Sequence, residues 1–431
     1  MLKLSNETKQ FMLDDGTVDY GSLMRYWRKH VMQWKSAQIL ADVYNEILID
    51  EEPLTVRAIQ RMEQHNRVPM DEKRRRLLAT ILNIPPAYFG LTHLTPYSLP
   101  ISEISLSTLL NAPIDINEYT ARLQDLWIHW TDYVVADVLV DVLTRIHSLQ
   151  ETLIYGTSRQ RNFIALLLCQ YLILYGNMRR DQGYSDSAIT FLDKAIKLAN
   201  EREYQELGAK AFYLKGYAHF DKWGIQDDKL KDRKQLQLAT NSFQSALMLA
   251  RKSQKKEAFN GPLNSAIVAE LGLVGAYSAQ SEKDKTKALN TIDEASTIIQ
   301  QPNFHRDKQF MYINDEWYHI DKAEAYVALQ WGYEAIHQLD NVERSNPQTR
   351  RRYVYTDIVE ADAYLTKGQI EMSVASAENA LDFLEDIQSF LFVTRVSNIY
   401  NTLRQDKTYA TSPDVARLGG KLLKVQHAYL F

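Results

Sequence analysis

Cysteine is almost missing from this sequence: Cys169, inside the apolar run Ile164–Leu174, is the only one among 431 residues. A lone cysteine cannot form an internal disulfide, and zinc sites made of four cysteines are excluded. We interpret Cys169 as a small buried apolar residue. Long apolar runs are missing too, because no stretch reaches the ~18 residues of a membrane-spanning helix and the N-terminus has no signal-peptide core. We therefore expect a cytoplasmic protein with no membrane partner.

Glycine and proline are scarce, at 16 and 11 residues. Few helix breakers, together with many alanine, leucine, glutamine and lysine residues, favour helices. A content of 45% hydrophobic and 24% charged residues is typical of a soluble globular protein, and 431 residues are too many for one core. Because the net charge is −4, any basic surface must be local.

The usual sequence signatures of catalysis are absent. There is no glycine-rich phosphate loop, no His-Glu-x-x-His motif and no pair of Cys-x-x-Cys motifs. The ten histidines are scattered, and the acidic pairs Asp14-Asp15 and Asp227-Asp228 lie in turn-like settings without a catalytic partner. We therefore expect no metal, no cofactor and no enzymatic activity.

A spaced set of small residues recurs along the C-terminal two-thirds of the chain. Gly176 is followed by Ala188, Leu192 and Ala195, which lie on one face of a second helix. A small residue on the first helix lets the second helix cross closely. The same spacing recurs in Ala276–Ala295, Ala323–Val342 and Ala361–Ala380, and also in Gly216–Ala246 if an exposed loop is inserted at Lys222–Gln235.

This spacing resembles the tetratricopeptide repeat, in which each helical hairpin buries the apolar side of its neighbour. The resemblance implies an α-solenoid over residues 161–431, whose last 41 residues, 391–431, form a capping hairpin with Pro413 near the start of its second helix. Two further helical patterns occupy the connector at 115–160. The proline-containing stretch 92–114 is predicted to be a linker.

In the tetratricopeptide fold the first helix of each hairpin lines a concave groove. The resemblance therefore carries polar and aromatic positions of these helices into the groove. They are Asn177, Lys210, Tyr213, Tyr217, Glu270, Tyr277, Trp317, Glu324 and Tyr355. Rings and interleaved amides suit an extended peptide, so we expect a peptide or protein ligand there. The alternative is that these rings pack between hairpins.

The N-terminal segment, residues 1–91, is predicted to be a separate module. Its patterns predict helices over Ser22–Met32, Ser36–Glu46, Thr55–Gln64, Asp71–Leu82 and Pro86–Phe89, with Ser36, Thr55 and Asp71 as N-caps. Residues 21–90 contain 11 lysines and arginines against 8 aspartates and glutamates, so the module is mildly basic within an acidic chain.

Several short motifs follow one another in this module. They are Ser36–Ala41 (SAQILA), Ala58–Glu63 (AIQRME), Arg67–Pro69 (RVP), Leu77–Ala79 (LLA) and Asn83–Pro85 (NIP). This order resembles the five-helix, helix-turn-helix domain of the phage-repressor or xenobiotic-response-element type over Leu23–Leu91. The resemblance implies a recognition helix that begins at Thr55. The chain departs from the family by an insert at Tyr44–Pro53, which carries the acidic residues Asp50–Glu52.

The resemblance also implies which residues would contact double-stranded DNA. Arg57, Gln60, Arg61 and Gln64 would face the bases, because arginine pairs with guanine edges and glutamine with adenine edges. Thr55 would open the helix, and the phosphate contacts would come from Lys35, Ser36, Gln38, Arg67, Lys73 and Arg74. The alternative is an ordinary solvated face.

The order of parts resembles the Gram-positive peptide-sensing regulators that join a repressor-type head to tetratricopeptide repeats. It implies a sequence-specific DNA-binding transcriptional regulator whose repeats dimerise, sense a peptide or protein, or do both; a homodimer is expected. The alternative, motivated by the acidic insert, is a scaffold or adaptor whose head has kept the fold and lost DNA binding.

Overall fold

The computed structural model describes residues 19–32, 34–47, 53–65, 72–82, 84, 114–132, 135–155, 158–225, 233–254, 261–301, 304, 311, 314–343, 350–387 and 389–430. Every regular element in these ranges is helical, which confirms the all-α prediction. The predicted helix Pro86–Phe89, nearly all of the linker 92–114 and the N-cap Asp71 lie outside the described residues.

The helices are numbered here in chain order. They are α1 Tyr20–Tyr26, α2 Ala37–Ile47, α3 Val56–His65, α4 Glu72–Ile81, α5 Ile116–Asp132, α6 Val135–Tyr155, α7 Ser158–Asp181, α8 Ser185–Glu201, α9 Gln205–Ile225, α10 Arg233–Gln254, α11 Gly261–Ser278, α12 Glu282–Ile299, α13 Asp315–Ala328, α14 Gly332–Leu339, α15 Arg350–Thr366, α16 Ile370–Ile387, α17 Phe390–Gln405 and α18 Pro413–Leu430. The chain divides into two compact units, Met1–Asp115 with Val140–Tyr155, and Ile116–Leu139 with Gly156–Phe431.

The first unit contains α1 to α4 around the buried side chains of Leu23, Leu40, Ile59 and Leu78. The predicted single helix Ser22–Met32 is instead α1 followed by a π-helical turn, Trp27–Val31. Widening the helix there accompanies the burial of an arginine side chain that is described below with the site. The other three predicted helices of this module agree with α2, α3 and α4 within one or two residues.

The insert at Tyr44–Pro53 is partly helical. Its first residues complete the last turn of α2, which ends at Ile47. The side chain of Asn45 then bridges to the start of α3, because its amide donates to the Leu54 carbonyl at 2.9 Å and its carbonyl accepts from the Leu54 N–H at 2.6 Å. Thr55 caps α3 by accepting the Ala58 N–H at 3.2 Å. These bonds fix both ends of the connection between α2 and α3.

The second unit contains a series of helix pairs. Contacts join α7 to α8, α9 to α10, α11 to α12, α13 to α14, α15 to α16 and α17 to α18, and each first helix also meets the first helix of the next pair. Upstream, α5 is attached to α7 by the Tyr171 hydroxyl, which donates to the Tyr119 carbonyl at 2.8 Å. The pairing is consistent with an all-α solenoid.

The small residues of the repeated spacing lie where paired helices touch. A Cβ added to Gly176 would lie 2.8 Å from Leu192 Cγ, and one added to Gly216 would lie 2.5 Å from a ring carbon of Phe243. Both distances are shorter than van der Waals contact, so only a hydrogen atom fits at these positions. The spacing is therefore a packing requirement of each helix pair.

The loop predicted at Lys222–Gln235 is shorter than expected, because α9 continues to Ile225 and α10 already begins at Arg233. The extra helical residues have partners that hold them. Lys222 forms an ion pair with Asp186 at 2.6 Å, and the Trp223 ring contacts Tyr277 with centroids 5.0 Å apart.

We predict that Gly216→Ala lowers the free energy of unfolding by about 1–3 kcal/mol, because the new methyl group overlaps Phe243. The gain in helix propensity, about 1 kcal/mol, offsets only part of this loss. Gly420→Ala on α18 is the matched control, since a Cβ there meets nothing within 4 Å and the substitution should be neutral or stabilising. Urea denaturation measures both; equal effects of the two substitutions would contradict the packing argument.

Candidate functional site

The first helices of the pairs, α7, α9, α11, α13, α15 and α17, form what we call the first-helix face. Buried tyrosine hydroxyls and carboxylates connect these helices. The Tyr217 hydroxyl on α9 donates to Glu270 on α11. On α13, Glu324 accepts hydrogen bonds from the hydroxyls of Tyr277, at 3.1 Å, and Tyr355. Four consecutive pairs therefore contribute to one polar cluster.

Arg395 on α17 completes this cluster. Its Nη2 lies 3.1 Å from Glu324 Oε1 and 3.6 Å from Asp362 Oδ2, and its guanidinium carbon is 5.2 Å from the centre of the Tyr355 ring. Burial opposes the arginine's charge most strongly, but the surrounding acidic groups, first among them Glu324, together outweigh burial and raise the pKa of Arg395 well above its ordinary value. Arg395 is therefore a charged donor, and Glu324 accepts from three donors, the hydroxyls of Tyr277 and Tyr355 and the guanidinium of Arg395.

The tyrosines of the cluster are neutral hydrogen-bond donors. Burial, and then the negative charge of Glu270 or Glu324, raises the pKa of each hydroxyl well above its ordinary value. The hydroxyls concerned are those of Tyr213, Tyr217, Tyr277 and Tyr355. Tyr217, Tyr277 and Tyr355 donate to carboxylates, Tyr213 donates to the Tyr217 hydroxyl, and all four present aromatic rings.

Burial disfavours the charged form of three further carboxylates of this face, those of Asp221, Glu270 and Asp321. Burial raises the pKa of Asp221 to about 6, against the charge of Arg180, whose Nε lies 3.4 Å from the carboxylate. Burial and then the charge of Asp321 raise the pKa of Glu270, while burial and then the charge of Glu324 raise that of Asp321. Like charges in a poorly hydrated space disfavour ionisation, so this face binds protons more readily than free carboxylates do.

The last pair, α17 and α18, lies where the final hairpin was predicted, and it also contacts the start of the unit. Helix α17 also contacts α7 and α9. At its N-terminus, the Ser389 hydroxyl donates to Asp181 Oδ1 at 2.6 Å, and Arg351 Nη1 lies 2.8 Å from the same oxygen. The Phe390 ring packs on Gly183, whose left-handed backbone (φ +83°) and missing side chain leave room for it. The first and last pairs of the unit are thereby joined.

The structure brings six of the predicted groove positions into the polar cluster: Tyr213, Tyr217, Glu270, Tyr277, Glu324 and Tyr355. Trp317 adjoins them, with its ring 5.7 Å from that of Tyr355. Lys210 instead lies over the Trp127 ring of α5 at 3.8 Å, and Asn177 is 2% exposed. The rings contact one another as well as the carboxylates, so packing and ligand binding remain compatible roles.

Four polar members of the face were missed by the sequence analysis. Asp221 follows Tyr217 by one helical turn, and Asp321 follows Trp317 in the same way, so extending the register by four residues would have found both. Arg180 and Arg395 had no such signal. Arg395 in particular lies in the segment predicted to be a cap, and nothing in its local sequence marks a partner 71 residues away.

The first unit has a second candidate surface, a cleft lined by the start of α2 and one side of α3. Its lining includes Arg25, Lys29, Lys35, Gln60 and Gln64. Beneath it a buried ion pair holds α3 in place. Arg28, 3% exposed, donates from Nε to Glu63 Oε1 at 2.6 Å and from Nη2 to Oε2 at 2.9 Å, and its Nη1 donates to the Trp34 carbonyl at 2.6 Å.

Most residues predicted to contact DNA are exposed, namely Lys35, Ser36, Gln38, Thr55, Arg57, Gln60, Arg61 and Gln64. Ile59 faces the core at 0% exposure, as predicted from the register of α3. Gln38 is already hydrogen-bonded to Asp42 at 2.7 Å, and Arg74 is half-buried. Arg67 and the side chain of Lys73 lie outside what the structure describes.

No protein-family model matches the chain, and no curated protein sequence matches it. Among the described residues, no helix has both the length and the apolar character needed to cross a membrane. Nor does the described part of the chain bring together three or more histidine, cysteine or acidic residues in a way that could hold a metal ion. Cys169 is buried, and burial raises the pKa of its thiol to about 12.

We predict that Glu324→Ala lowers the free energy of unfolding by about 3–5 kcal/mol, because it leaves Arg395 and two tyrosine hydroxyls buried without their acceptor. The matched control is Glu334→Ala on the exposed side of α14, where the effect should stay within about 0.5 kcal/mol. Urea denaturation followed by circular dichroism measures both. A Glu324→Ala protein as stable as the control would show that the cluster does not hold these helices together.

We predict that Asp221 makes stability fall as the pH rises. Its pKa is raised in the folded state to about 6 from 3.8, so the folded protein holds this proton more tightly than the unfolded chain does. The resulting stabilisation is complete below pH 4 and is lost as the pH passes 6, by up to about 3 kcal/mol. Asp221→Asn should remove this part of the pH dependence, whereas Asp382→Asn at the surface should leave it unchanged. Denaturation midpoints measured from pH 4 to pH 8 test this prediction. Parallel curves for all three proteins would refute the assignment of this pH dependence to Asp221.

Proposed function

We propose that the chain is a sequence-specific DNA-binding transcriptional regulator. In this proposal α2 and α3 are the helix-turn-helix of a repressor-type head, and the helix pairs form a tetratricopeptide-like unit that dimerises or senses a peptide or protein. The observation that carries the DNA-binding part is the cleft of the first unit, where cations of α1, the π-helical turn and the residues before α2 meet the polar side of α3.

Several features support α3 as a recognition helix. Its exposed side carries Arg57, Gln60, Arg61 and Gln64, while Ile59 anchors the opposite side in the core. Arginine and glutamine offer the paired donors and acceptors that read base edges in the major groove. The bidentate Arg28–Glu63 pair lies under this helix, out of solvent, and would hold it at a fixed angle.

The phosphate contacts of the proposal come from the start of α2. Lys35 and Ser36 are exposed there, and the N-terminal N–H groups of a helix favour an anion. Arg25 and Lys29 extend the cationic lining of the same cleft. The Asn45–Leu54 bonds give the long connection between α2 and α3 a defined closure, as a helix-turn-helix requires.

The sensing part of the proposal rests on the first-helix face. Rings and carboxylates from consecutive pairs are concentrated there, and the half-buried rings of Tyr217, Tyr277 and Tyr355 offer stacking and hydrogen-bonding surface. A peptide held by such a face is read by its side chains and backbone amides. The alternative function, a scaffold that does not bind DNA, keeps this face and assigns no role to Arg57 or Arg61.

We predict that the full-length protein selects a duplex from a random DNA library and binds it more weakly as salt rises. Arg57→Ala and Arg61→Ala should each cost about 1–3 kcal/mol on the selected sequence and relax its specificity, whereas Lys35→Ala should weaken binding to all sequences alike. Arg404→Ala, an exposed arginine on α17, is the charge-matched control and should bind as the unchanged protein does. Mobility-shift titrations measure these affinities. Failure to bind any duplex in a salt-sensitive way would refute the regulator and leave the scaffold.

A further inference from the structure

Asp321 on α13 is a buried carboxylate with an oxygen that lacks a hydrogen-bond partner among the described residues. Its residue is 5% exposed, and within the described part of the chain its Oδ1 accepts no hydrogen bond. Glu270 on α11, fully buried, is half satisfied: Oε1 accepts from the Tyr217 hydroxyl, and Oε2 has no partner among the described residues. A buried charged group without a partner costs free energy, so these oxygens call for a proton or a cation.

The two carboxylates lie on neighbouring helices, α11 and α13, and influence each other electrostatically. The charge of Asp321 raises the pKa of Glu270 and also that of Tyr213, Tyr217 and Tyr355. Helices α9, α11, α13 and α15 therefore all present groups within electrostatic range of Asp321. The unpartnered oxygens therefore lie on two first helices that contact each other, α11 and α13, and Glu270 is directly bonded to one of these tyrosines.

The two arginines of the face form ion pairs with carboxylates other than Glu270 and Asp321. Arg395 pairs with Glu324 and Asp362, and Arg180 lies beside Asp221. Arg180 also opposes the rise in the pKa of Glu270, but burial and the charge of Asp321 outweigh it. Burial and the charge of Glu324 both disfavour ionisation of Asp321. Neither arginine is therefore hydrogen-bonded to Asp321 Oδ1 or to Glu270 Oε2 in the described structure.

The same face shows how it holds a cation. Arg180 lies 4.7 Å from the centre of the Tyr217 ring, and Arg395 lies 5.2 Å from that of Tyr355, each with a carboxylate beside it. An aromatic ring next to a carboxylate is a favourable environment for a guanidinium or ammonium group. The Tyr213 and Tyr217 rings, 5.0 Å apart and edge to face, offer a further surface of this kind beside Glu270.

We propose that Glu270 and Asp321, framed by the tyrosines of α9, α11 and α15, bind the guanidinium or primary ammonium group of a ligand. This inference rests on the proposed sensing role of the first-helix face and names the chemistry that the face recognises. The cation is carried either by a small free amine or guanidine or by a basic side chain of a peptide. In its absence, burial and the neighbouring acidic groups favour the protonated forms of both carboxyl groups.

A measurable consequence is that binding releases protons. The cation pairs with ionised carboxylates, whereas burial and like charges favour their protonated forms in the free protein, so affinity is expected to rise with pH until the carboxylates are ionised without ligand. A purely structural carboxylate pair would bind nothing and release nothing. Proton release therefore distinguishes a ligand site from a stabilising cluster.

The test is isothermal titration of the full-length protein with two probes, at pH 6 and pH 8 and in buffers of different ionisation enthalpy. Agmatine represents the small free guanidine, and acetyl-Ala-Ala-Arg-Ala-Ala-amide represents the peptide; the same peptide with citrulline is its neutral control. We expect one of the cationic probes to bind with proton release, more tightly at pH 8, and the citrulline peptide to bind at least tenfold more weakly.

Asp321→Asn and Glu270→Gln should each weaken binding of that probe at least tenfold and reduce proton release, while the proteins remain folded because each amide keeps the shape of the carboxyl group and an oxygen that can accept a hydrogen bond. Glu334→Gln on α14 is the matched surface control. No binding of either probe would overturn the inference and leave a proton-sharing pair, as would equal binding by both variants. Titrating the selected DNA with the same variants separates this outcome from failure of the proposed regulator, because DNA binding and cation binding are read independently.

Discussion

The carboxylate of Glu324 is the interaction on which the repeat unit depends most. In an array of helix pairs each pair normally contacts only its neighbours, so stability is close to a sum of adjacent terms. Glu324 on α13 instead accepts from α11, α15 and α17, and Arg395 is the donor that comes from beyond the next pair. Because each donor is at least partly buried, exchanging this acceptor for water is costly.

The junction at Asp181 extends this coupling from one end of the unit to the other. Asp181 ends α7, and its carboxylate meets Arg351 at the start of α15 and Ser389 at the start of α17. Arg351 also donates to the Trp130 carbonyl at 2.6 Å, which adds α5 to the same junction. An array tied at Glu324 and at Asp181 is expected to respond as a whole when a group enters between its first helices.

The first unit uses a buried ion pair in a comparable way. Removing water from Arg28 and Glu63 is costly, and such pairs are often worth less to stability than apolar residues of the same size. What the pair supplies is geometry, since its two parallel hydrogen bonds are satisfied in one orientation of α3. A helix that must present its outer side chains in a fixed register gains from that constraint.

Packing between paired helices could be predicted from sequence, because it depends on residue size at fixed helical spacing. Gly176 and Gly216 are small because a neighbouring side chain occupies the space of their Cβ atoms, and this requirement is local. The helix starts at Ser36 and Thr55 were equally readable, since an N-cap is a local hydrogen bond.

The partners of the polar cluster could not be predicted in the same way. Each helix pair is slightly rotated relative to the one before it, and these rotations add up along the array. They decide which side chain reaches Glu324, but no periodic pattern in the sequence encodes them. Arg395 was missed for that reason, whereas Tyr277 and Tyr355 were found because the helix register alone places them on the face. The length of α9 was missed because Lys222 is held by a long-range ion pair.

The number of hydrogen-bond donors at each carboxylate distinguishes the residues that stabilise the cluster from those proposed to bind a ligand. Glu324 has three donors, and its loss would leave buried groups unpaired, so its role is to hold helices. Asp321 has an unpartnered buried oxygen in the described structure, and an asparagine of the same shape would remove its charge at no cost in packing. The fold does not need an ionised Asp321, and burial disfavours its charge. The proposed cationic ligand explains why a carboxyl group is kept at this position.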